Sequence, residues 1–282
     1  MEELAAQLRS CGRTRDLAHA RALHNRIRHS KHRNSRFLAN LVVEMYGRCG
    51  STADALAAFQ SIDKPNSFSW NIVIAAFAHN GQIDTARALF DQMPERERSQ
   101  DPISWNCLIT AYGERDRPGE ARELFDQMPS RDTISWNAML AAYAQQGNLD
   151  ESKLLFDRMP NKDIISWNTL ISTYGRTGQL EMAQATFDAM AVRNSVTWNS
   201  LLAAYAQTGH LHKAESLLDS MPGHLRDAVT TTIMLSKFST HLHTTTLSPG
   251  TPCLELTPKT ATFTKLCFSS KKFPPRTLSP GT

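Results

Sequence analysis

Six asparagines recur at one phase of this chain: Asn40, Asn71, Asn106, Asn137, Asn168 and Asn199. The last five each follow a tryptophan (Trp70, Trp105, Trp136, Trp167, Trp198), and those are all the tryptophans the protein has. A side-chain amide carries both a donor and an acceptor. A row of amides at a fixed interval therefore suits one base edge of a single-stranded nucleic acid per interval. A single asparagine near a helix start is more simply a cap. Six in register, in a residue type that is a mediocre helix former away from caps, need a shared cause.

The elements that must hold such a row follow from the spacing. The tryptophans step by 31 residues, or by 35 between Trp70 and Trp105, and a fixed period of this size predicts stacked repeats rather than one globular core. In the unit Thr133–Asp163, Trp136, Leu140 and Tyr143 recur at helical spacing and predict a first helix. Gly147 supplies the permissive backbone of a turn. Ser152, Leu155, Phe156 and Met159 give the buried stripe of a second helix, and Pro160 blocks its continuation. Neither helix is long enough to be stable alone, so the hairpins must stack and bury a continuous core. The expected fold is all-α, an α-solenoid of helix-turn-helix hairpins.

The units SWNIVIAAFAHNGQIDTARALFDQMP, SWNAMLAAYAQQGNLDESKLLFDRMP and SWNTLISTYGRTGQLEMAQATFDAM resemble pentatricopeptide repeats, in the short 31-residue variant of the plant organellar type. The resemblance covers residues 1–235, about six full repeats with partial units at both ends, and implies a right-handed superhelix that binds single-stranded RNA at one nucleotide per repeat. In that family the Asn after the tryptophan reads a base together with the residue that closes the repeat. The pairs implied here are Asn40–Asn66, Asn71–Asp101, Asn106–Asp132, Asn137–Asp163, Asn168–Asn194 and Asn199–Asp227. Asn–Asp favours uracil in the family code and Asn–Asn favours pyrimidines, cytosine slightly more. With the RNA running parallel, the implied target is 5′-Y-U-U-U-Y-U-3′. Phe68, Ile103, Ile134, Ile165 and Val196, each two residues before a tryptophan, are implied to lie against the base faces. Packing between repeats is the alternative for these five, and helix capping is the alternative for the closing residues.

The resemblance further implies a mitochondrial or chloroplast role in RNA processing, editing or stabilisation, with an editing deaminase or other processing factor acting in trans, and a monomer. Two other readings stay open: a protein-interaction scaffold of the tetratricopeptide-like type, and a truncated non-functional derivative. A zinc deaminase needs H-x-E and P-C-x-x-C, but His210-Leu211-His212 lacks the Glu and Pro252-Cys253 has no second Cys in place. No P-loop, nucleophile elbow or dinucleotide fingerprint occurs, so no enzyme activity, no cofactor and no metal site are expected. The five cysteines form no C-x-x-C pair and read as reduced thiols. The net charge of +4 would not by itself indicate nucleic acid.

At its start the chain enters a repeat-like pattern directly (Leu4, Leu8, Leu17, Ala20, Leu23). No secretory run is present, and Glu2 and Glu3 are unlike an acid-poor transit peptide. Import information is therefore expected to be absent or hidden, or the product shortened; no membrane association is expected. Arg13, Arg15, Arg21, Arg26, Arg28, Lys31 and Arg33 face a single acid, Asp16, and read either as a solvated face or as phosphate contacts on the 5′ side of an RNA. The segment ERERSQ after Met93-Pro94 is expected as a loop between units. A seventh unit opens after Asp227, with Thr232 at the asparagine position. Residues 236–282, rich in Ser, Thr, Pro and Lys, read as a disordered tail.

Overall fold

A computed structural model of the chain describes residues 1–233. The expected tail lies outside them. The helices in chain order are α1 (Glu2–Thr14), α2 (Leu17–Arg28), α3 (Arg36–Arg48), α4 (Thr52–Gln60), α5 (Ser67–His79), α6 (Ile83–Gln92), α7 (Glu95–Gln100), α8 (Ile103–Glu114), α9 (Pro118–Gln127), α10 (Thr133–Gln145), α11 (Leu149–Arg158), α12 (Ile164–Arg176), α13 (Leu180–Asp188), α14 (Ser195–Gln207) and α15 (Leu211–Ser220). Residues 228–233 begin one more helix. Apart from α7 these pair as hairpins, so the described residues form the α-solenoid that the period predicts.

Each hairpin is punctuated by local chemistry. Ser35, Asn66, Asp132, Asp163 and Asn194 cap first helices by accepting the N–H three residues on. The turn after α10 passes through Gly147 at φ +70°, where a side chain would be strained. Second helices end at a methionine held extended by the proline after it, as at Met128-Pro129 and Met159-Pro160. The extended backbone drops those methionine side chains into the core, at 5% and 3% exposure.

Two contacts join consecutive repeats. A phenylalanine near the end of each second helix meets the next tryptophan edge-to-face: Phe59–Trp70, Phe90–Trp105, Phe125–Trp136, Phe156–Trp167 and Phe187–Trp198, with centroids 4.6–5.0 Å apart. Such pairs contribute about 0.5–1.5 kcal/mol each beyond their buried area. First helices also pack directly on one another along the whole array, whereas second helices pack on their own and the following first helix but scarcely on each other. The stack is therefore tighter on the first-helix side.

One expectation needs correcting. ERERSQ does not form a loop: its six residues coil into α7, and the Arg98 carbonyl near its end accepts the Trp105 indole N–H at 3.1 Å. Glu and Arg are good helix formers, and the insertion is absorbed as one extra turn beneath the tryptophan.

Close approach of the first helices rests on small residues. A Cβ on Gly47, Gly113 or Gly175 would lie 2.6, 2.7 and 2.5 Å from the Cβ of Ala76, Ala142 and Ala204 in the next first helix. Gly113→Ala is therefore expected to destabilise the array by about 1–3 kcal/mol through overpacking. A Cβ on Gly119, also a helical glycine, would meet nothing within 4 Å. Gly119→Ala is accordingly expected to be neutral or to gain up to about 1 kcal/mol. Thermal melts of the two variants check this, and similar losses in both would reject the close-approach argument.

Candidate nucleic-acid interface

The asparagines lie in one row, on the fifth residue of α3, α5, α10, α12 and α14 and the fourth of α8. They sit deeper than freely presented amides would: Asn40, Asn71, Asn106, Asn168 and Asn199 are only 5–9% exposed, and Asn137 is half-buried. Each is set in the crevice between consecutive first helices. There four of the six amides meet the closing residue of their own repeat, which stands just before the next first helix. Asn71 Nδ2 donates to Asp101 at 3.1 Å, Asn106 to Asp132 at 3.4 Å, Asn137 to Asp163 at 3.0 Å and Asn199 to Asp227 at 3.1 Å. Residues 26–30 apart in sequence are thus brought into contact four times by the same geometry. Among the described residues no hydrogen bond joins Asn40 to Asn66 or Asn168 to Asn194.

With the amide nitrogen turned to the carboxylate, the amide oxygen points the other way. The Oδ1 atoms of Asn40, Asn71, Asn106, Asn137 and Asn168 are buried without a hydrogen-bond partner among the described residues. Such groups cost about 1–3 kcal/mol each, and an apolar residue would avoid that cost, so folding of the array alone does not account for the row.

The closers do two jobs at once. Asp132 accepts the Ser135 backbone N–H at 2.8 Å and the Ser135 hydroxyl at 2.7 Å, both on Oδ1. Asp227 likewise takes the Thr230 N–H and Asn199 on Oδ1, while the Thr230 hydroxyl lies nearer to Asn199 Oδ1, at 2.7 Å, than to Asp227, at 3.0 Å. In both, Oδ2 is left as an open acceptor among the described residues. Asp101 departs from the pattern because Pro102 follows it: its Oδ1 takes the Ile103 N–H, and Pro102 holds the cap position.

An apolar row runs beside the asparagines. Phe68, Ile103, Ile134, Ile165 and Val196 are 53–65% exposed, so packing between repeats does not explain them. Phe37 and Val229, which the tryptophan marker could not flag because Ala39 and Thr231 replace the tryptophan, extend the row at both ends. These seven account for most of the large exposed apolar residues among the described residues. Between α5, α8 and α10 the two rows meet in one open cleft lined by Ile103, Asn106, Asp132 and Ile134. The cleft brings together one amide, one carboxylate and two exposed aliphatic side chains.

The equivalent cleft between α1 and α3 has a different lining: Arg9, Arg13, Arg48 and Glu44, with Leu8, Leu41 and Met45. Arg48 is paired with Glu44 at 2.8 Å, while Arg9 and Arg13 are exposed. Two further arginines are structural. Arg131 and Arg193 each donate to two carbonyls at the end of the preceding second helix and lie over Phe125 and Phe187 at 4.8 and 4.6 Å. Sequence reading missed this role, although a basic residue directly before four of the closers (Arg131, Lys162, Arg193, Arg226) was its signal. Among the described residues no three His, Cys, Asp or Glu side chains gather as a metal site, and no helix is long and apolar enough to cross a membrane.

The PPR repeat sequence model matches residues 68–97, 103–133, 134–164 and 165–195, and the PPR repeat family model matches 193–240. The chain belongs to the pentatricopeptide repeat family. Curated relatives from Arabidopsis thaliana include a mitochondrial pentatricopeptide repeat-containing protein, 33% identical over 30% of this chain and 14% of its own length. A chloroplastic one is 37% identical over 33% of this chain and 10% of its own length. The matched stretch is thus a small part of those relatives. Among solved structures, the pentatricopeptide repeat protein PPR10 in complex with an 18-nt psaJ RNA element aligns over 93% of this chain and 40% of its own, with a TM-score of 0.67 at 18% identity. That likeness is one of fold.

Partial burial pushes the Asp132 carboxyl up, but the Ser135 N–H, the Ser135 hydroxyl and the Asn106 amide outweigh it and hold it below its ordinary value. The Thr230 N–H, then the Asn199 amide, lower Asp227. Both carboxyls titrate lower in the folded than in the unfolded chain, so their stabilisation is complete at neutral pH and is lost as pH falls through the folded-state values. Melting temperature is expected to drop as pH is taken below about 4. Asp132→Asn should remove part of that dependence, and an unchanged pH profile would count against the hydrogen-bonded closer.

Proposed function

We propose that this pentatricopeptide repeat protein reads single-stranded RNA at about one base per repeat, preferring 5′-Y-U-U-U-Y-U-3′. The observation that carries the reading is the fourfold contact of an asparagine with the Asp that closes its repeat, beside a row of exposed apolar residues that between α5, α8 and α10 lines one cleft with it. Uracil offers an N3–H flanked by two carbonyls. A carboxylate oxygen accepts that N–H, while the second amide hydrogen of the asparagine donates to a carbonyl. Asn closers present no carboxylate, which fits the expected shift toward cytosine at the first and fifth positions. Phe68, Ile103, Ile134, Ile165 and Val196 stack on the base faces.

Arg9 and Arg13, where α1 carries Ala5 rather than an asparagine, serve the phosphates on the 5′ side instead of a base. The role is in organellar RNA processing, editing or stabilisation, with an editing deaminase or another processing factor acting in trans on the bound transcript; the protein acts as a monomer. Relatives named as mitochondrial and chloroplastic support an organellar location. A peptide-binding scaffold would present varied side chains along the groove, and here the lining repeats.

Titration with YUUUYU RNA against a purine-substituted strand is expected to show preferential binding to the pyrimidine strand, and equal affinity would reject the proposal. Asn137→Thr is expected to move the fourth position from U toward G, in line with the family code. Replacing Arg9 and Arg13 by Gln should leave base preference intact but flatten the salt dependence, by about 0.7 in log–log slope for each phosphate no longer neutralised.

A further inference from the structure

The two Asn closers raise a question that the Asp closers do not. A carboxylate presents the same atom type whichever way it turns, but a primary amide presents a donor in one orientation and an acceptor in the other. What decides it is visible in both repeats. Asn66 Oδ1 accepts the Ser69 backbone N–H at 3.1 Å and the Ser69 hydroxyl at 2.9 Å. Asn194 Oδ1 accepts the Thr197 N–H and the Thr197 hydroxyl, both at 2.9 Å. The Thr197 oxygen in turn accepts the Asn194 backbone N–H at 3.3 Å, so the hydroxyl proton is directed to the side chain. Ser69 and Thr197 are 1% and 0% exposed, so water does not compete for these bonds. Both donors converge on Oδ1, and the Nδ2 of each Asn closer makes no hydrogen bond among the described residues.

We propose that Ser69 and Thr197 are specificity-determining positioning residues: their buried hydroxyls lock the closing amide with its NH2 outward, so that the first and fifth repeats select cytosine over uracil. An outward donor meets the unprotonated N3 of cytosine and opposes the N3–H of uracil. The inference rests on the base-reading function proposed above. It adds that orientation, and not residue type alone, sets the choice. It also separates these hydroxyls from Ser135, which makes the same bonds to Asp132 but cannot change what a symmetric carboxylate presents.

The test is equilibrium binding of the full chain to 5′-CUUUCU-3′ and to strands with uracil at the first or the fifth position or cytosine at the third. The wild-type protein is expected to favour cytosine at the fifth position by about two- to tenfold, the range one net hydrogen bond supplies. Thr197→Val removes the hydroxyl at constant shape but leaves the backbone N–H as the one remaining anchor, so that ratio should fall measurably; Thr197→Ser should keep it, and Ser135→Ala should leave the uracil preference at the third position intact. If Thr197→Val melts out, Ser69→Ala read at the first position gives the same comparison. A ratio unchanged in Thr197→Val or Ser69→Ala overturns the inference, as does an equal loss of uracil preference in Ser135→Ala. Loss of all base preference in the wild-type protein would instead overturn the reading on which it rests.

Discussion

The distance between consecutive first helices governs this molecule. Gly47, Gly113 and Gly175 let the backbone of one helix lie against Ala76, Ala142 and Ala204 of the next. Between α8 and α10 this approach accompanies the Asn106–Asp132 hydrogen bond. At the junctions of Asn71, Asn137 and Asn199 an alanine (Ala78, Ala144, Ala206) stands at the glycine position, and the amide still reaches its carboxylate. A small residue at this position, glycine or alanine, is the shared condition.

Stability and recognition are carried by the same atoms. Each closer other than Asp101 caps the next first helix with one oxygen, and in Asp132 and Asp227 the other oxygen stays open. The cap holds the carboxylate in place without exhausting it, since an ionised carboxylate has about four acceptor sites. The basic residue before the closer is committed to the carbonyls of the previous helix, so that cation neither pairs with the closer nor neutralises it. The closing carboxylates thereby stay unneutralised by the cation next to them in the chain.

The asparagine row works against the array's own stability. Five buried amide oxygens have no partner among the described residues, and only Asn199 has its oxygen satisfied, by the Thr230 hydroxyl at 2.7 Å. An unmet acceptor repeated at one phase is a cost that folding alone does not explain. The exposed aliphatic row beside it makes the same point by a separate route, since exposed apolar residues in a line are not what solubility favours.

By itself the sequence determined the period, the helical hairpin, the turn glycines, the proline stops and the phase of the asparagines. All of these are local chemistry repeated at intervals short enough to recognise. The pairing of Asn with Asp was available only through a resemblance, because the partners lie 26–30 residues apart and no local rule joins them. Tertiary structure alone decided that the asparagines are recessed and that the aliphatic residues stand exposed. Each of these depends on how closely one helix approaches the next, a distance that side-chain packing sets and that spacing along the chain does not encode.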